Sequence, residues 1–241
     1  RGLLYVVADG MGGAAKGELA SRLAVRSLVE RYYADPDPDL RASLWRAVRA
    51  ANDAVYRQAQ ANPANQGMGT TLTAILLHDG KIYFGHVGDT RLYRMRGQRL
   101  ERLSRDHSLV QELVDRGTLT PEQARLHPER NRVQRVLGTG PTVEVDTGVE
   151  TLALGDTFLL TTDGLHNELS DAQIHGILSS SGSQASERLV QAALRESGGP
   201  DNITVVWVRL GPSAVGSGGR GHKSWGERDA YPVVAAFLAL V

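Results

Sequence analysis

The sequence predicts an α+β fold in which pairs of helices cover antiparallel sheets. Two amphipathic helical segments, at about 18–33 and 40–61, follow one another behind a short apolar strand at 3–8. The hydrophobic period then changes to two over 70–103, which is typical of successive β-hairpins. Two more helical segments lie together ahead of a last strand at 202–210. Helices that are grouped in this way, rather than alternating with strands, favour α+β over α/β.

The first two helices are predicted from apolar residues at helical spacing. A glycine-rich turn at 10–17 leads from the strand into the first helix, and Pro63 ends the second. The apolar stripes are Leu19, Leu23, Leu28 and Tyr32 in the first helix, and Leu44, Ala47, Val48, Ala51 and Val55 in the second. Each stripe is wide enough to pack against a sheet.

Two β-hairpins are expected after the second helix. Their strands lie at 70–77, 81–87, 91–95 and 99–103. Asp79-Gly80 and Gly97 supply the tight turns that close them. Because consecutive strands usually pair with each other, we expect one antiparallel meander.

The second half of the chain begins with a short helix at 106–117. Thr120 then starts another helix, since Pro121 and Gln123 complete a capping box. A polar, basic stretch at 126–137, which we call the flap, has no clear period. The remaining predicted elements are two strands, two helices and a strand, at 142–152, 156–162, 170–178, 183–196 and 202–210.

Length and composition predict one domain at 1–210, a Gly/Ser-rich linker at 211–231 and an apolar tail at 232–241. The 27 basic and 27 acidic residues balance, which argues against a nucleic-acid or membrane-surface binder. The absence of cysteine from the sequence excludes disulfides, thiolate catalysis and zinc ribbons. With no visible signal peptide, a cytoplasmic monomer is expected.

The apolar tail has two interpretations. Its ten residues are too few to span a bilayer, which takes about 20. It could be the first half of a transmembrane helix that tethers a cytoplasmic domain, because Arg220, Lys223 and Arg228 precede it as the positive-inside rule requires. It could equally be a remnant without function.

Four aspartates stand where apolar runs end or begin: Asp9, Asp89, Asp163 and Asp201. A carboxylate at the end of a buried strand is costly unless a cation pairs with it. No lysine or arginine recurs at a fixed distance from these residues in the sequence. A divalent metal ion is therefore the expected partner, and oxygen-only ligands indicate Mg²⁺ or Mn²⁺ rather than zinc.

These carboxylates can converge if their strands are antiparallel neighbours, because the end of one strand then meets the start of the next. Neighbouring glycines allow close approach, and the Gly10 carbonyl could be a further ligand. Two metal ions held in this way could bridge a water, lower its pKa and assist in-line displacement at phosphorus. No protein nucleophile would be needed, and the sequence contains no GxSxG motif.

Five ordered motifs carry a resemblance that extends from about Leu3 to Leu210. They are Val7-Ala8-Asp9-Gly10-Met11-Gly12-Gly13, Gly67-Met68-Gly69-Thr70-Thr71, Gly85-His86-Val87-Gly88-Asp89-Thr90-Arg91, Thr162-Asp163-Gly164-Leu165 and Gly199-Pro200-Asp201-Asn202-Ile203-Thr204. With these motifs the chain resembles the bacterial type 2C, metal-dependent serine/threonine protein phosphatases.

The resemblance implies a four-layer αββα sandwich with a two-metal centre between the sheets. Asp9 would bridge both ions, the Gly10 carbonyl would bind one, and Asp163 and Asp201 would bind the other. Asp89 would hold a third, weaker ion, and Asn131 of the flap is placed to help.

The implied activity is hydrolysis of phosphoserine and phosphothreonine in proteins by a metal-bridging hydroxide. Its substrates would be phosphoproteins, and it would oppose a serine/threonine kinase. The helix from His107 to Arg116 and the flap as far as Arg132 would gate access. An upstream arginine that grips the substrate phosphate in the family is absent from this sequence, so weaker phosphate binding is expected.

Three other hypotheses remain open. Gly10-Met11-Gly12-Gly13-Ala14-Ala15 fits a dinucleotide-binding GxGxxA fingerprint, although the following hairpin is not the parallel crossover such a domain needs. A non-catalytic pseudophosphatase could bind a phosphoprotein without turnover. The same chemistry could also act on the phosphoserine of a sigma-factor regulator rather than on kinase substrates in general.

Overall fold

The computed structural model of the protein describes residues 1–197, 202–211 and 233–239. The strands are β1 (Leu3–Val7), β2 (Gly10–Met11), β3 (Gly69–Thr70), β4 (Leu72–His78), β5 (Lys81–Val87), β6 (Arg91–Arg96), β7 (Arg99–Arg102), β8 (Asp146–Thr151), β9 (Thr157–Thr161), β10 (Ile203–Arg209) and β11 (Val233–Ala239). The helices are α1 (Ala14–Ala34), α2 (Leu40–Ala61), α3 (Leu109–Asp115), α4 (Pro121–Arg125), α5 (Asp163–His166), α6 (Asp171–Ser181) and α7 (Ala185–Ser197). The candidate ligand Asp201 and nearly all of the predicted linker lie outside the described residues.

Two antiparallel sheets form the centre of the fold. The first has the strand order β1-β4-β5-β8, and the second has the order β11-β10-β9-β6-β7. Every neighbouring pair in both sheets is antiparallel. A separate two-stranded ribbon joins β2 to β3.

Helix pairs cover the outer faces of the two sheets, so the expected αββα sandwich is confirmed. On β4, Leu72 and Leu76 pack beneath α1 and α2, whereas Ile75 faces the second sheet. On β10, Val205 packs beneath α6 and α7, and Val206 faces the first sheet. Alternate residues of one strand therefore enter different cores, which explains why these strands are apolar almost throughout.

The two long helices test the boundaries predicted from periodicity. Helix α2 has the predicted bounds, and the side chain of Asp39 caps it by accepting a hydrogen bond from the Ala42 N–H at 3.0 Å. Helix α1 begins at Ala14, four residues before the predicted start at 18. Gly17, which was assigned to the preceding turn, is a buried helical residue beneath β2.

The prediction of a single meander is wrong, because the two hairpins belong to different sheets. Strands β4 and β5 pair in the first sheet, and β6 and β7 pair in the second. The chain crosses between the sheets at Gly88–Thr90, where Gly88 has a φ of +110°. This left-handed conformation favours glycine and redirects the chain. Asp89 therefore lies in a crossover between sheets and not in a hairpin turn.

The predicted apolar tail contributes a strand to the second sheet. Its residues 233–239 form β11, which pairs along the whole length of β10. An apolar segment must satisfy its backbone N–H and C=O groups, and the outer edge of β10 offers the partners. Over the part of the chain that the structure describes, no helix is both long enough and apolar enough to cross a membrane.

Candidate metal centre

Asp9 lies in the connection between β1 and β2 and is fixed by its main chain. Its carbonyl accepts hydrogen bonds from the Thr71 N–H at 2.8 Å and from the Thr70 hydroxyl at 2.7 Å. Its own N–H donates to the Thr71 Oγ1 at 3.1 Å. Gly10 follows in β2, and an added Cβ there would lie 1.9 Å from the Gly17 carbonyl oxygen. The backbone beside Asp9 is thus held between α1 and the start of β4.

Thr71 also connects Asp9 to Asp89. A Cβ on Gly88 would lie 2.5 Å from the Cβ of Thr71, so the crossover packs directly on this threonine. Asp89 follows immediately and is 7% exposed. Two of the predicted ligands therefore come from adjacent backbone segments that share one threonine as a neighbour.

The electrostatics of Asp89 place it near Asp163. Burial, followed by the negative charges of Asp163 and Asp106, raises the pKa of the Asp89 carboxyl to about 8. Carboxylates that disfavour each other's ionisation in this way can be neutralised together by a cation.

Asp163 is the first residue of α5, two residues after the end of β9. Asn167, one helical turn later, donates from its Nδ2 to the Asp163 Oδ2 at 3.1 Å. The same amide nitrogen lies 3.2 Å from the Asn131 Oδ1, which it can also serve as donor. Asn131 of the flap therefore lies next to Asn167, which connects it to Asp163.

Asn202, which precedes β10, lies next to α5. Asp201 itself lies outside the described residues, but its neighbour Asn202 is described. A Cβ on Gly164 would lie 2.6 Å from the Asn202 carbonyl oxygen, so the two segments touch next to Asp163. The Thr162 hydroxyl also donates to the Asn202 carbonyl at 3.3 Å.

The expectation that antiparallel neighbouring strands bring the aspartates together applies to only part of the site. Strands β9 and β10 are antiparallel neighbours, as that expectation requires for Asp163 and Asp201. Asp9 instead follows β1 in the other sheet, and Asp89 lies where the chain passes between sheets. The candidate centre is therefore assembled across the two sheets.

The donor chemistry fits a hard divalent cation. The described candidates offer carboxylate oxygens from Asp9, Asp89 and Asp163, a carbonyl at Gly10 and an amide oxygen at Asn131. All are oxygen ligands of the kind that Mg²⁺ and Mn²⁺ prefer. Within residues 1–197, 202–211 and 233–239, no three His, Cys, Asp or Glu side chains by themselves form a group that could hold a metal ion.

The sequence analysis predicts no role for several residues that hold the site in place. Asn167 binds Asp163, and Thr70 and Thr71 fix the backbone of Asp9. The signal for Thr70 and Thr71 was their place in one of the five motifs. The signal for Asn167 was its helical i,i+4 spacing from Asp163, which places the two side chains on one face.

A buried ion pair lies beside Asp89. The Arg91 guanidinium donates to both oxygens of Asp106, at 3.1 and 3.0 Å from Nε and 2.6 Å from Nη2. Burial alone would raise the pKa of Asp106, but the charge and hydrogen bonds of Arg91 outweigh it and lower that pKa to about 2.

Asp106→Asn is expected to destabilise the protein in a pH-dependent way. Because the folded-state pKa is depressed, the stabilisation is present above pH 4 and disappears as the pH falls towards 2. The variant should lose at least about 2 kcal/mol of unfolding free energy at pH 7. Urea denaturation of both proteins between pH 7 and pH 2.5 should show this difference shrinking with acidity.

Asp115→Asn is the matched control, because Asp115 pairs with Arg105 at the surface. Exposed pairs contribute less than about 1 kcal/mol, so this variant should differ little from the wild type at any pH. A difference for Asp106→Asn that stays constant from pH 7 to pH 2.5 would contradict the assignment of the pH dependence to this carboxylate.

Comparison with known proteins identifies the family. Residues 1–197 match the family model for protein phosphatase 2C. The chain is similar to the serine/threonine protein phosphatase PstP of Mycobacterium tuberculosis, with 43% identity over 204 residues. That match covers 84% of this chain but only 39% of the mycobacterial protein.

Two further matches cover most of this chain and most of the similar protein. Protein phosphatase PhpP of Streptococcus pneumoniae is 36% identical over 212 residues, which cover 86% of this chain and 85% of that protein. A crystal structure of the catalytic domain of PstP in complex with two manganese ions is 40% identical with a TM-score of 0.77, covering 86% of this chain and 87% of that one. The chain therefore belongs to the protein phosphatase 2C family.

Proposed function

We propose that this chain hydrolyses phosphoserine and phosphothreonine in proteins with the help of Mn²⁺ or Mg²⁺. The observation that carries the proposal is that Asp89 and Asp163 are close enough to oppose each other's ionisation, while Thr71 contacts the backbone on either side, at Asp9 and at Gly88. The names of the relatives, which are serine/threonine phosphatases, support the substrate class. The manganese-bound structure of PstP supports the choice of metal.

The ligand assignment is the one that the resemblance to the family implies. Asp9, the Gly10 carbonyl, Asp163 and Asp201 would hold two ions, and Asp89 with Asn131 would hold a third. When bound, the ions would supply an activated water as nucleophile and neutralise the charge that develops on the phosphoryl group. Asp9, Asp163 and Asp201 are therefore the residues on which catalysis depends.

The chain itself provides alignment of these ligands. Thr70 and Thr71 fix the main chain of Asp9, and Asn167 orients the Asp163 carboxylate by donating to one oxygen. A carboxylate that is held in one orientation loses less entropy when it binds an ion. These residues would position ligands without touching substrate.

Space for substrate lies beside the proposed centre. A cavity of about 450 Å³ runs between α3, α4 and α6, and both Asp89 and Arg130 line it. Because Asp89 lines this cavity, a phosphorylated side chain bound in it would reach the metal ions while flanking substrate residues contact α3 and α4. The partner that creates this substrate would be a serine/threonine kinase.

The test is phosphate release from a phosphothreonine peptide in Mn²⁺, in Mg²⁺ and in excess chelator. We expect release in either metal and none with chelator. A chain that binds the phosphopeptide but releases no phosphate under any of the three conditions would instead be a non-catalytic phosphoprotein-binding relative.

A further inference from the structure

We infer that His107 is a positioning residue that fixes the Gly88–Asp89 crossover and the flap in one common arrangement. The inference rests on the proposed function, since it concerns how Asp89 is presented to a metal ion. His107 precedes α3 and is 5% exposed. It touches none of the predicted metal ligands through the hydrogen bonds described below, so its effect on the site is transmitted through backbone.

His107 and Gly88 hold each other through two hydrogen bonds. The His107 N–H donates to the Gly88 carbonyl at 2.7 Å, and the Gly88 N–H donates to the His107 Nδ1 at 3.0 Å. Gly88 is packed on Thr71 from the other side. The crossover is therefore clamped between Thr71 and His107, and Asp89 is the next residue.

The acceptor role of Nδ1 determines the tautomer of the ring. In neutral imidazole one nitrogen accepts and the other carries the proton, so Nε2 must be the protonated one. Nε2–H then donates to the Asp146 Oδ2 at 3.1 Å. The Arg135 Nη1 lies 3.0 Å from the same ring nitrogen, but both are donors in this tautomer, so Arg135 donates instead to the other oxygen of Asp146 at 2.9 Å. Burial lowers the pKa of His107, in agreement with the neutral ring that this geometry requires.

The same residue holds the C-terminal part of the flap. The His107 carbonyl accepts from the Gln134 N–H at 2.7 Å, and the Arg135 Nη1 lies 3.0 Å from the His107 Nε2 beside their common partner Asp146. Asn131, the flap residue that meets Asn167, lies three residues before Gln134. The two main-chain bonds survive any substitution at this position other than proline. Loss of the ring contacts would loosen the crossover that bears Asp89 through Gly88, and the flap that bears Asn131 through Arg135.

Three substitutions separate the two ring nitrogens. His107→Asn places an oxygen near the position of Nδ1 and can still accept from the Gly88 N–H. His107→Gln extends an amide towards Asp146 but leaves the Gly88 N–H without an acceptor. His107→Leu removes both interactions. If positioning of the crossover is the function, His107→Asn should resemble the wild type, and the other two variants should not.

The measurement is Mn²⁺ binding by titration calorimetry. We expect the weakest Mn²⁺ site to lose at least about tenfold in affinity in His107→Leu and His107→Gln, and to change by less than about threefold in His107→Asn. His175→Leu is the control, because the ring of His175, which lies in α6, makes its hydrogen bond to the Gln98 carbonyl and not to the crossover. It should leave Mn²⁺ affinity unchanged while lowering the melting temperature slightly.

A His107→Gln variant that binds Mn²⁺ as tightly as the wild type would overturn the inference, and so would equal losses in the Asn and Gln variants. Should His107→Leu fail to fold, the contrast between Asn and Gln carries the test. ¹⁵N NMR of the histidine rings in the wild type adds a check that needs no variant, since protonation of His107 at Nδ1 would also overturn the inference. A wild type that binds Mn²⁺ without releasing phosphate would refute the proposed function alone.

Discussion

Asp163→Asn is expected to reduce metal-dependent phosphate release by more than about 100-fold. Loss of a residue that merely orients a ligand typically costs 10–100-fold, and Asp163 is proposed to be a ligand itself. The same substitution should not lower the stability of the metal-free protein. Because Asp163 raises the pKa of the buried Asp89, its removal relieves a repulsion in the metal-free protein. The variant should therefore be at least as stable as the wild type when chelator is present.

Kinetics on a phosphothreonine peptide and thermal melts with and without Mn²⁺ would test both parts of this prediction. Asp79→Asn is the matched control, because Asp79 lies in the exposed turn between β4 and β5 and asparagine tolerates its φ of +45°. It removes the same charge at the far end of β4 from Thr71. Wild-type turnover by Asp163→Asn, or an equal loss in Asp79→Asn, would contradict the assignment.

The sequence was sufficient wherever a local pattern determines the structure. The bounds of α2 follow from its apolar stripe, and the capping box at Thr120 is formed as predicted. The turn at Asp79-Gly80 closes its hairpin. The aspartates at strand ends were recognisable because a carboxylate there needs a partner.

The sequence did not predict which segments of the chain pack against each other in the folded protein. Which sheet a hairpin joins depends on the crossover at Gly88, whose left-handed φ is not distinguishable by pattern from that of an ordinary turn glycine. Helix α1 begins early because Gly17 packs against Gly10 at a contact between segments seven residues apart. The contribution of Asn167 could not be predicted, because it depends on the folded position of the flap, which places Asn131 next to it.

The role of His107 illustrates the same limit. In the sequence it is one of seven histidines and starts a helix that is predicted to gate access to the site. Its partner Gly88 lies 19 residues away and Asp146 lies 39 residues away. Only the folded chain brings these groups together. A search of the sequence for metal ligands therefore does not identify positioning residues of this kind.

Gly10→Ala should be the most damaging small substitution near the centre. An added Cβ would lie 1.9 Å from the Gly17 carbonyl oxygen and 2.6 Å from its Cα, and both are backbone atoms of α1 that cannot rotate away. Helix α1 would have to shift, at a cost of about 3 kcal/mol or more. For a protein of this size we expect the melting temperature to fall by roughly 6–12 °C.

Gly176→Ala distinguishes this steric effect from the loss of a glycine as such. Gly176 is in α6, and an added Cβ there has no neighbour within 4 Å among the described atoms, so alanine should stabilise the helix by up to about 1 kcal/mol. The Gly10 carbonyl is also a proposed metal ligand, and a shift of β2 away from α1 would displace it. Thermal melts and Mn²⁺ titration should therefore show lower stability and weaker metal binding together in Gly10→Ala. If its melting temperature matched that of the wild type, the close contact between β2 and α1 could not be the constraint that requires glycine here.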